Sequence, residues 1–113
     1  MAPQPTDLLQ GTLDVLILKS LAWGPRHGYG IAKWLEDTTD DTLVIEEGSL
    51  YPALYRMERK GWIEAEWGMS ELGRKAKFYA LTAAGRSRLR EEIAAWRRFS
   101  VAVAKVLGAD GRG

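Results

Sequence analysis

The fold of this chain is decided by the stretch GSLYPALYRMERKGWI, residues 48–63. At about 100° per residue, its aliphatic and methionine side chains gather on one side of a helix: Leu50, Ala53, Leu54 and Met57. The other side carries hydroxyl, aromatic and guanidinium groups: Ser49, Pro52, Tyr55, Arg56 and Arg59. A helix that buries aliphatic residues behind and exposes such groups in front suits the major groove of DNA, which admits one helix.

The limits of this helix are marked by residues with known positional preferences. Ser49 is a good N-cap, because its hydroxyl can accept a hydrogen bond from a free amide of the first turn. Pro52 is tolerable within that first turn, and Gly61 stands where a C-terminal glycine is expected. The segment therefore predicts a short helix that leads directly into a strand.

Two alternating stretches follow at residues 62–67 and 75–81, joined by a polar, glycine-containing loop at residues 68–74. In the first stretch, one face carries Ile63, Ala65 and Trp67. In the second, Ala76, Phe78 and Ala80 alternate with a face made of Lys75, Lys77, Tyr79 and Leu81. Alternation with a period of two is typical of strands, so these residues predict a β-hairpin of the kind called a wing.

The residues before position 48 predict two further helices. An apolar stripe runs over about residues 8–22, and apolar residues on its flanks indicate burial on more than one side, against the domain itself and against a partner. A turn at Gly24-Pro25 separates it from a second helix over about residues 27–38. Residues 43–45 are β-branched or aliphatic and predict one short strand of a small sheet.

A final helix is predicted from Thr82, as its cap, to about Leu107. Leucine, tryptophan and valine recur along it every seven residues, which is typical of a packing seam with a partner helix. The predicted dimer interface combines this seam with the stripe of the first helix: Leu9, Leu13, Leu16, Leu89, Ile93, Trp96, Val103 and Leu107. Residues 1–7 are predicted to be a flexible N-terminus and residues 108–113 a disordered tail.

The order of these elements predicts a mainly α fold with a small β-hairpin. Helix, helix, short extended segment, helix, hairpin and helix is the order of a winged helix-turn-helix with one helix appended. Residues 8–81 form the predicted winged helix-turn-helix domain, and residues 82–107 form the predicted C-terminal dimerisation helix.

Composition limits the classes of protein that this chain can be. Its 113 residues indicate one domain, and its five Trp, four Tyr and 46% hydrophobic content supply more apolar surface than so small a domain easily hides, which favours a homodimer. There is no Cys, so disulfides and thiolate metal sites are excluded. No apolar run is long enough to span a membrane and no signal-peptide core is seen, so the expected location is cytoplasmic.

Charge is distributed unevenly along the chain. Residues 1–50 carry three basic and eight acidic residues, whereas residues 51–113 carry thirteen basic and seven acidic residues, although the net charge is only +1. Such asymmetry can create a local basic face on a nearly neutral protein, and it is equally compatible with an ordinary solvated surface.

Catalysis and metal binding find no support in the residue pattern. His27 is the only histidine, and it has neither a cysteine nor an acidic cluster at ligand spacing, so it is interpreted as a turn residue that hydrogen-bonds a backbone group or a phosphate. The serines lack a nucleophile–base arrangement, and no glycine-rich phosphate loop exists. The sequence therefore predicts that the protein is not an enzyme and needs no metal or cofactor.

Four segments in this order resemble the PadR family of transcriptional regulators, in particular its short subfamily with a single C-terminal helix. They are LLQGTLDVLIL in the first helix, HGYGI at residues 27–31, GSLYPALYRMERKGWI at residues 48–63 and RKAKFYALTAAGR at residues 74–86. The resemblance implies a homodimer whose C-terminal helices pack on the partner's N-terminal region. It further implies operator binding, with repression relieved by a ligand or another signal.

Family roles transfer to matching positions of the second helix, the third helix and the wing: Tyr29, Ser49, Tyr51, Pro52, Lys75, Lys77 and Tyr79. Two departures are evident. Leu72-Gly73 stands where relatives often carry a polar, Asn-rich wing tip, which argues against base reading by the tip. The chain ends soon after one C-terminal helix, so the effector domain of the longer subfamily is not expected.

The predicted DNA-binding surface joins these positions to the neighbouring aromatic and basic residues: Tyr29, Ser49, Tyr51, Pro52, Tyr55, Arg56, Arg59, Lys60, Arg74, Lys75, Lys77 and Tyr79. Phosphate contact is expected for the basic residues, and the two arginines of the helix could instead reach base edges. The Tyr51 ring either belongs to the core with its hydroxyl facing DNA or lies wholly on the surface.

Two alternatives stay open at the level of sequence. Trp96, with Phe99 beside it, is either dimer core or the wall of a pocket for a small aromatic effector between protomers. The acidic first half of the chain is compatible with a winged-helix module that binds another protein instead of double-stranded DNA.

Overall fold

The computed structural model describes the backbone of residues 5–111 and side chains from residue 11 onward. Four helices and three short strands follow one another as α1 (Pro5–Ser20), β1 (Arg26–His27), α2 (Gly28–Thr38), α3 (Glu47–Arg59), β2 (Ile63–Met69), β3 (Lys75–Leu81) and α4 (Ala83–Leu107). The predicted fold class, a winged helix-turn-helix with a long C-terminal helix, is confirmed. None of the helices described here is long and apolar enough to cross a membrane.

The wing is an antiparallel hairpin whose register runs from Ile63 opposite Leu81 to Met69 opposite Lys75. A third strand, β1, lies on the free edge of β3, so the sheet has the order β1-β3-β2. The prediction of a strand at residues 43–45 is wrong, because that segment has no strand. Local β-branching does not decide where a strand finds a partner, and the edge of β3 is occupied by the two residues that lead into α2.

The hydrophobic core lies between the first three helices and the root of the wing. Its fully buried apolar side chains come from α1 and the turn after it, α2, α3 and β2: Ile17, Leu18, Leu21, Ile31, Leu50, Leu54, Met57 and Ile63. The predicted aliphatic side of α3 is confirmed, since Leu50, Ala53, Leu54 and Met57 are all buried. Burial of that side leaves the opposite side of α3 facing solvent.

The start of α3 differs from the prediction. The helix begins at Glu47 with Glu46 as its N-cap, so Ser49 lies inside the helix and its backbone amide donates to the Glu46 carbonyl at 3.0 Å. Pro52 consequently lies beyond the first turn, where it has no amide to donate to the Gly48 carbonyl. Helix α1 also begins earlier than predicted, so residues 5–7 are helical, whereas residues 1–4, 112 and 113 lie outside the described part of the chain.

Two side chains cap helices by accepting backbone hydrogen bonds. His27 Nδ1 accepts from the Gly30 amide at 2.9 Å, which confirms its interpretation as a backbone-bonding residue. Thr82 Oγ1 accepts from the Gly85 amide at 3.0 Å, as its predicted capping role requires, and donates to the Gly61 carbonyl at 2.6 Å. The second cap fixes the start of α4 against the end of α3.

Helix α4 packs on the rest of the protomer only along its first part. Gly85 lies against the Trp62 carbonyl so closely that an added Cβ would approach that oxygen to 1.9 Å. Leu89 is buried in the protomer's own core, where the sequence analysis had placed it in the dimer interface, and Ile93 packs beside it. Trp96 and Phe99 still face Val15 of α1 across a shallow hollow, most side chains beyond them are exposed, and the molecule measures 60 × 29 × 25 Å.

Candidate nucleic-acid interface

The outer face of α3 is made of exposed polar, aromatic and basic side chains. Ser49, Pro52, Tyr55 and Arg59 all lie in solvent, opposite the buried aliphatic side. The Arg59 guanidinium lies over the Tyr55 ring, 5.8 Å from its centroid. This contact leaves the donor groups of Arg59 at the surface, where planar guanidinium groups recognise phosphates and guanine.

Arg56 does not belong to this face. Its guanidinium forms an ion pair and a hydrogen bond with the carboxylate of Asp14 on α1. The predicted contact of Arg56 with DNA is therefore not supported, since its charge is already matched inside the protein. The sequence pattern placed Arg56 at the flank of the polar side, but it held no information on which acid of another helix would reach it.

The basic residues of the wing lie beside aromatic rings and one carboxylate. Lys75 Nζ lies 5.3 Å from the centroid of the Trp67 ring, and Lys77 Nζ lies 3.5 Å from a carboxylate oxygen of Glu58 on α3. The Trp67 side chain is exposed. The Lys77–Glu58 pair joins the wing to α3 and so sets the distance between the two elements that the sequence assigns to DNA.

Two tyrosines with similar predicted roles occupy different environments. Tyr79 is largely buried against the core but also lines the groove beside the wing, so its contact with DNA stays a prediction. Burial, and then the nearby Glu58 charge, raise the pKa of Tyr79. Tyr51 is exposed, and a Cβ at Gly28 would approach its hydroxyl oxygen to 2.5 Å, so its ring end rests on the first turn of α2.

An open groove of about 720 Å³ separates the wing from the start of α2 and the flank of α3. Aromatic side chains on both sides and basic side chains of the wing line it: Tyr29, Tyr51, Trp67, Arg74, Lys75 and Lys77. Glu71 is the acid at its edge. The N-terminus of α2 opens onto the same groove, and helix N-termini favour anions. The arrangement can hold a phosphodiester strand.

Lys60 and Arg74 lie at opposite ends of the predicted surface. Lys60 ends α3 and its Nζ lies 4.7 Å from the centroid of the Trp62 ring, which Arg88 of α4 also contacts. Lys60 is therefore on the α4 side of α3, away from the groove. Arg74 is exposed at the wing tip, where its amide donates to Ser70 Oγ at 3.3 Å.

The α1–α4 contact contains a shallow hollow of about 190 Å³, lined in part by Val15, Trp96 and Phe99. The Trp96 and Phe99 rings lie 5.7 Å apart and each is about half exposed. Beyond them, Val106 and Leu107 are also exposed, whereas Val103 is partly covered. Leu13 and Leu16 of α1 are partly buried, and the side chain of Leu9 lies outside the described part of the structure.

Three residues at or behind the interface were missed by the sequence analysis: Asp14, Glu58 and Trp67. The alternation of β2 already placed Trp67 on one face, and only the hairpin register shows that this is the face of Lys77. No sequence pattern marked Asp14 or Glu58, because each forms an ion pair with a basic residue that is distant in sequence.

Comparison with known proteins agrees with this geometry. Residues 17–91 match the Transcriptional regulator PadR-like family. The chain belongs to this family. It is similar to an uncharacterised protein of Lysinibacillus sphaericus, at 34% identity over 91 residues that cover 80% of this chain and 84% of the relative.

Solved structures with the same fold are described as transcriptional regulators, and one of the two below is described as PadR-like. A transcriptional regulator from Clostridium thermocellum is 30% identical with a TM-score of 0.79, over 88% of this chain and 96% of that one. A PadR-like transcriptional regulator from Bacillus cereus is 31% identical with a TM-score of 0.76, over 91% of this chain and 98% of that one. This PadR-like chain is thus a regulator of transcription by family, with a winged helix-turn-helix fold.

Proposed function

We propose that this PadR-like protein is a dimeric repressor that binds specific sites in double-stranded DNA and is released by a small molecule or another signal. The observation that carries the proposal is the continuous exposed surface formed by the outer face of α3 and the groove beside the wing. That surface combines guanidinium, ammonium, hydroxyl and aromatic groups, which is the chemistry that DNA recognition uses.

The two parts of this surface have different roles in the proposal. Ser49, Tyr55 and Arg59 on α3 enter the major groove and contact base edges, while Pro52 packs against the groove wall. Lys75 and Lys77, together with Tyr29 and Tyr51 across the groove, hold the phosphodiester backbone. Each phosphate neutralised by a basic side chain releases counterions, so affinity falls steeply with salt, by a slope of about 0.9 per contact.

The exposed apolar side of distal α4 supports dimerisation. Trp96, Phe99, Val106 and Leu107 lie in solvent in the isolated chain, and exposed apolar patches of this kind mark interaction sites. A second copy of the same surface, related by a two-fold axis, is the commonest partner for such a patch. The axis would set two copies of α3 about one helical turn of DNA apart.

Release by a signal is supported by the hollow beside Trp96 and Phe99. In a dimer the hollow would be closed by the partner subunit, which would turn an open surface into a pocket with two aromatic walls. A flat aromatic molecule is the ligand class that such walls suit.

The decisive experiment is a titration of short duplexes, including the gene's own upstream region, at several salt concentrations. Arg59→Ala and Lys75→Ala should each weaken binding, and Lys75→Ala should also reduce the salt slope by about one. Arg98→Ala is the matched control, since Arg98 is an exposed cation on α4.

Equal affinity and slope for all of these variants would overturn the proposed surface. Failure of the wild-type protein to bind any duplex at low salt, together with capture of a protein partner, would favour the alternative of a protein-binding winged-helix module.

A further inference from the structure

A half-buried ion pair joins the recognition helix α3 to α1. The guanidinium of Arg56 meets the carboxylate of Asp14, and the side chains of the two residues are only 26% and 13% exposed. Other ion pairs of the described residues either lie within one helix, as Lys33–Asp37 does on α2, or are more exposed, as Lys77–Glu58 is. The Asp14–Arg56 pair is thus the most enclosed charge contact that the structure describes.

This pair is poorly explained as a source of stability. Burial raises the pKa of Asp14, and the attraction of Arg56 only partly opposes that effect. The cost of removing the carboxylate from water therefore exceeds what Arg56 returns, as is common for enclosed ion pairs. Replacing such pairs with apolar side chains of similar size is often neutral or stabilising, and in some proteins a buried ionic or polar pair instead fixes the geometry of the fold.

Apart from the Tyr51 ring against Gly28 and the more exposed Lys77–Glu58 ion pair, the contacts that hold α3 are aliphatic and non-directional. Leu50, Leu54 and Met57 would stay buried if α3 rotated slightly about its axis. With an outer radius of about 5–6 Å, a rotation of about 20° moves a side-chain tip by about 2 Å. A shift of that size breaks hydrogen bonds to base edges, which tolerate only a few tenths of an ångström.

We propose that the Asp14–Arg56 ion pair is a positioning device that fixes the rotation of α3 against α1, and that discrimination between DNA sequences depends on it although neither side chain touches DNA. The inference rests on the proposed function. Arg56 lies next to Tyr55 and three residues before Arg59, so an anchor at Arg56 sets the direction of both exposed side chains.

The test is a double-mutant cycle with Asp14→Leu, Arg56→Met and the two together. The readout is the ratio of affinities for a duplex selected from a random pool by the wild-type protein and for a scrambled duplex of the same composition. Each single variant should lower this ratio by about tenfold or more, and the double variant by no more than either single one. Thermal unfolding of the double variant should stay close to that of the wild type.

Two control variants separate geometry from charge. Asp14→Asn keeps an oxygen that accepts from the guanidinium, so it should retain most of the wild-type ratio. The double variant Lys33→Ala/Asp37→Ala removes an exposed ion pair within α2 and should leave the ratio unchanged. If the apolar pair fails to fold, Asp14→Ser with Arg56→Gln replaces it in the cycle.

Three results have distinct meanings. If Asp14→Leu keeps the ratio and Arg56→Met lowers it, Arg56 contacts bases directly and the inference is overturned. If all the variants keep the ratio, the inference is overturned while the proposed function stands. If the wild-type protein selects no duplex at all, the proposed function itself fails and the inference fails with it.

Discussion

Helices α3 and α4 are both amphipathic, but the protomer covers them differently. Every aliphatic residue on the inner side of α3 is buried, and one flank is tied to α1 through Asp14. In α4, only Gly85 and Leu89 are buried, and the large apolar side chains from Trp96 onward are exposed except for the partly covered Val103. The difference teaches that similar apolar patterns can have different roles: the apolar side of α3 completes the fold of a single chain, whereas that of distal α4 is left available for the proposed second copy.

Removal of distal α4 should produce the largest effect. Truncation before Ala94 deletes the exposed apolar side and keeps Leu89 and Ile93, so we expect a folded monomer or an aggregate in place of the proposed dimer of the full chain. Light scattering with size-exclusion chromatography measures the mass directly. A truncated protein that stays a well-folded dimer would contradict the assignment and would break the comparison between the two helices.

Substitutions on the apolar sides of α3 and α4 should affect stability in different ways. Leu54→Ala should lower the free energy of unfolding by about 2–5 kcal/mol, because Leu54 is fully buried in the protomer core. Trp96→Ala should instead make the unfolding midpoint depend less on protein concentration, since its loss falls on dimer formation. Urea unfolding at two protein concentrations tests both. If Trp96→Ala lowered the free energy of unfolding by a similar amount at both protein concentrations, Trp96 would belong to the core of the single chain.

The smallest expected effect is a pH dependence of the folding stability. It comes from Asp14, the α1 residue that pairs with Arg56 on the flank of α3. Because burial raises the pKa of Asp14 above 3.8, the folded state keeps its proton at pH values where the unfolded chain has released it. This contribution favours folding at low pH and is lost as the pH rises through the folded pKa. The stability of Asp14→Asn relative to the wild type should therefore increase as the pH rises from about 3.8 to the folded pKa of Asp14 and stay constant above it. Urea unfolding over this pH range measures the difference. If the free energies of unfolding of the two proteins change with pH in parallel, this prediction is wrong.

Much of the fold and part of the interface could be predicted because they depend on periodicity. The aliphatic side of α3, the alternation of the hairpin and the cap at Thr82 are local patterns, and the structure has all three. Predictions failed where a residue depended on a partner distant in sequence. Residues 43–45 were predicted to form a strand, but Arg26 and His27 occupy the edge of β3, and Leu89 was assigned to a dimer interface, but the core of its own chain buries it.

The amino-acid sequence by itself determined the helices and the two strands of the wing, because hydrophobic spacing and capping residues act within a few positions of each other, and its four motifs indicated the family. Only the tertiary structure decided that Arg26 and His27 supply the third strand, that Arg56 turns inward to Asp14 and that Leu89 belongs to the protomer. These outcomes depend on which surfaces meet when helices and sheet pack, since a charge or an apolar side chain is satisfied by whichever neighbour the folded chain brings within reach.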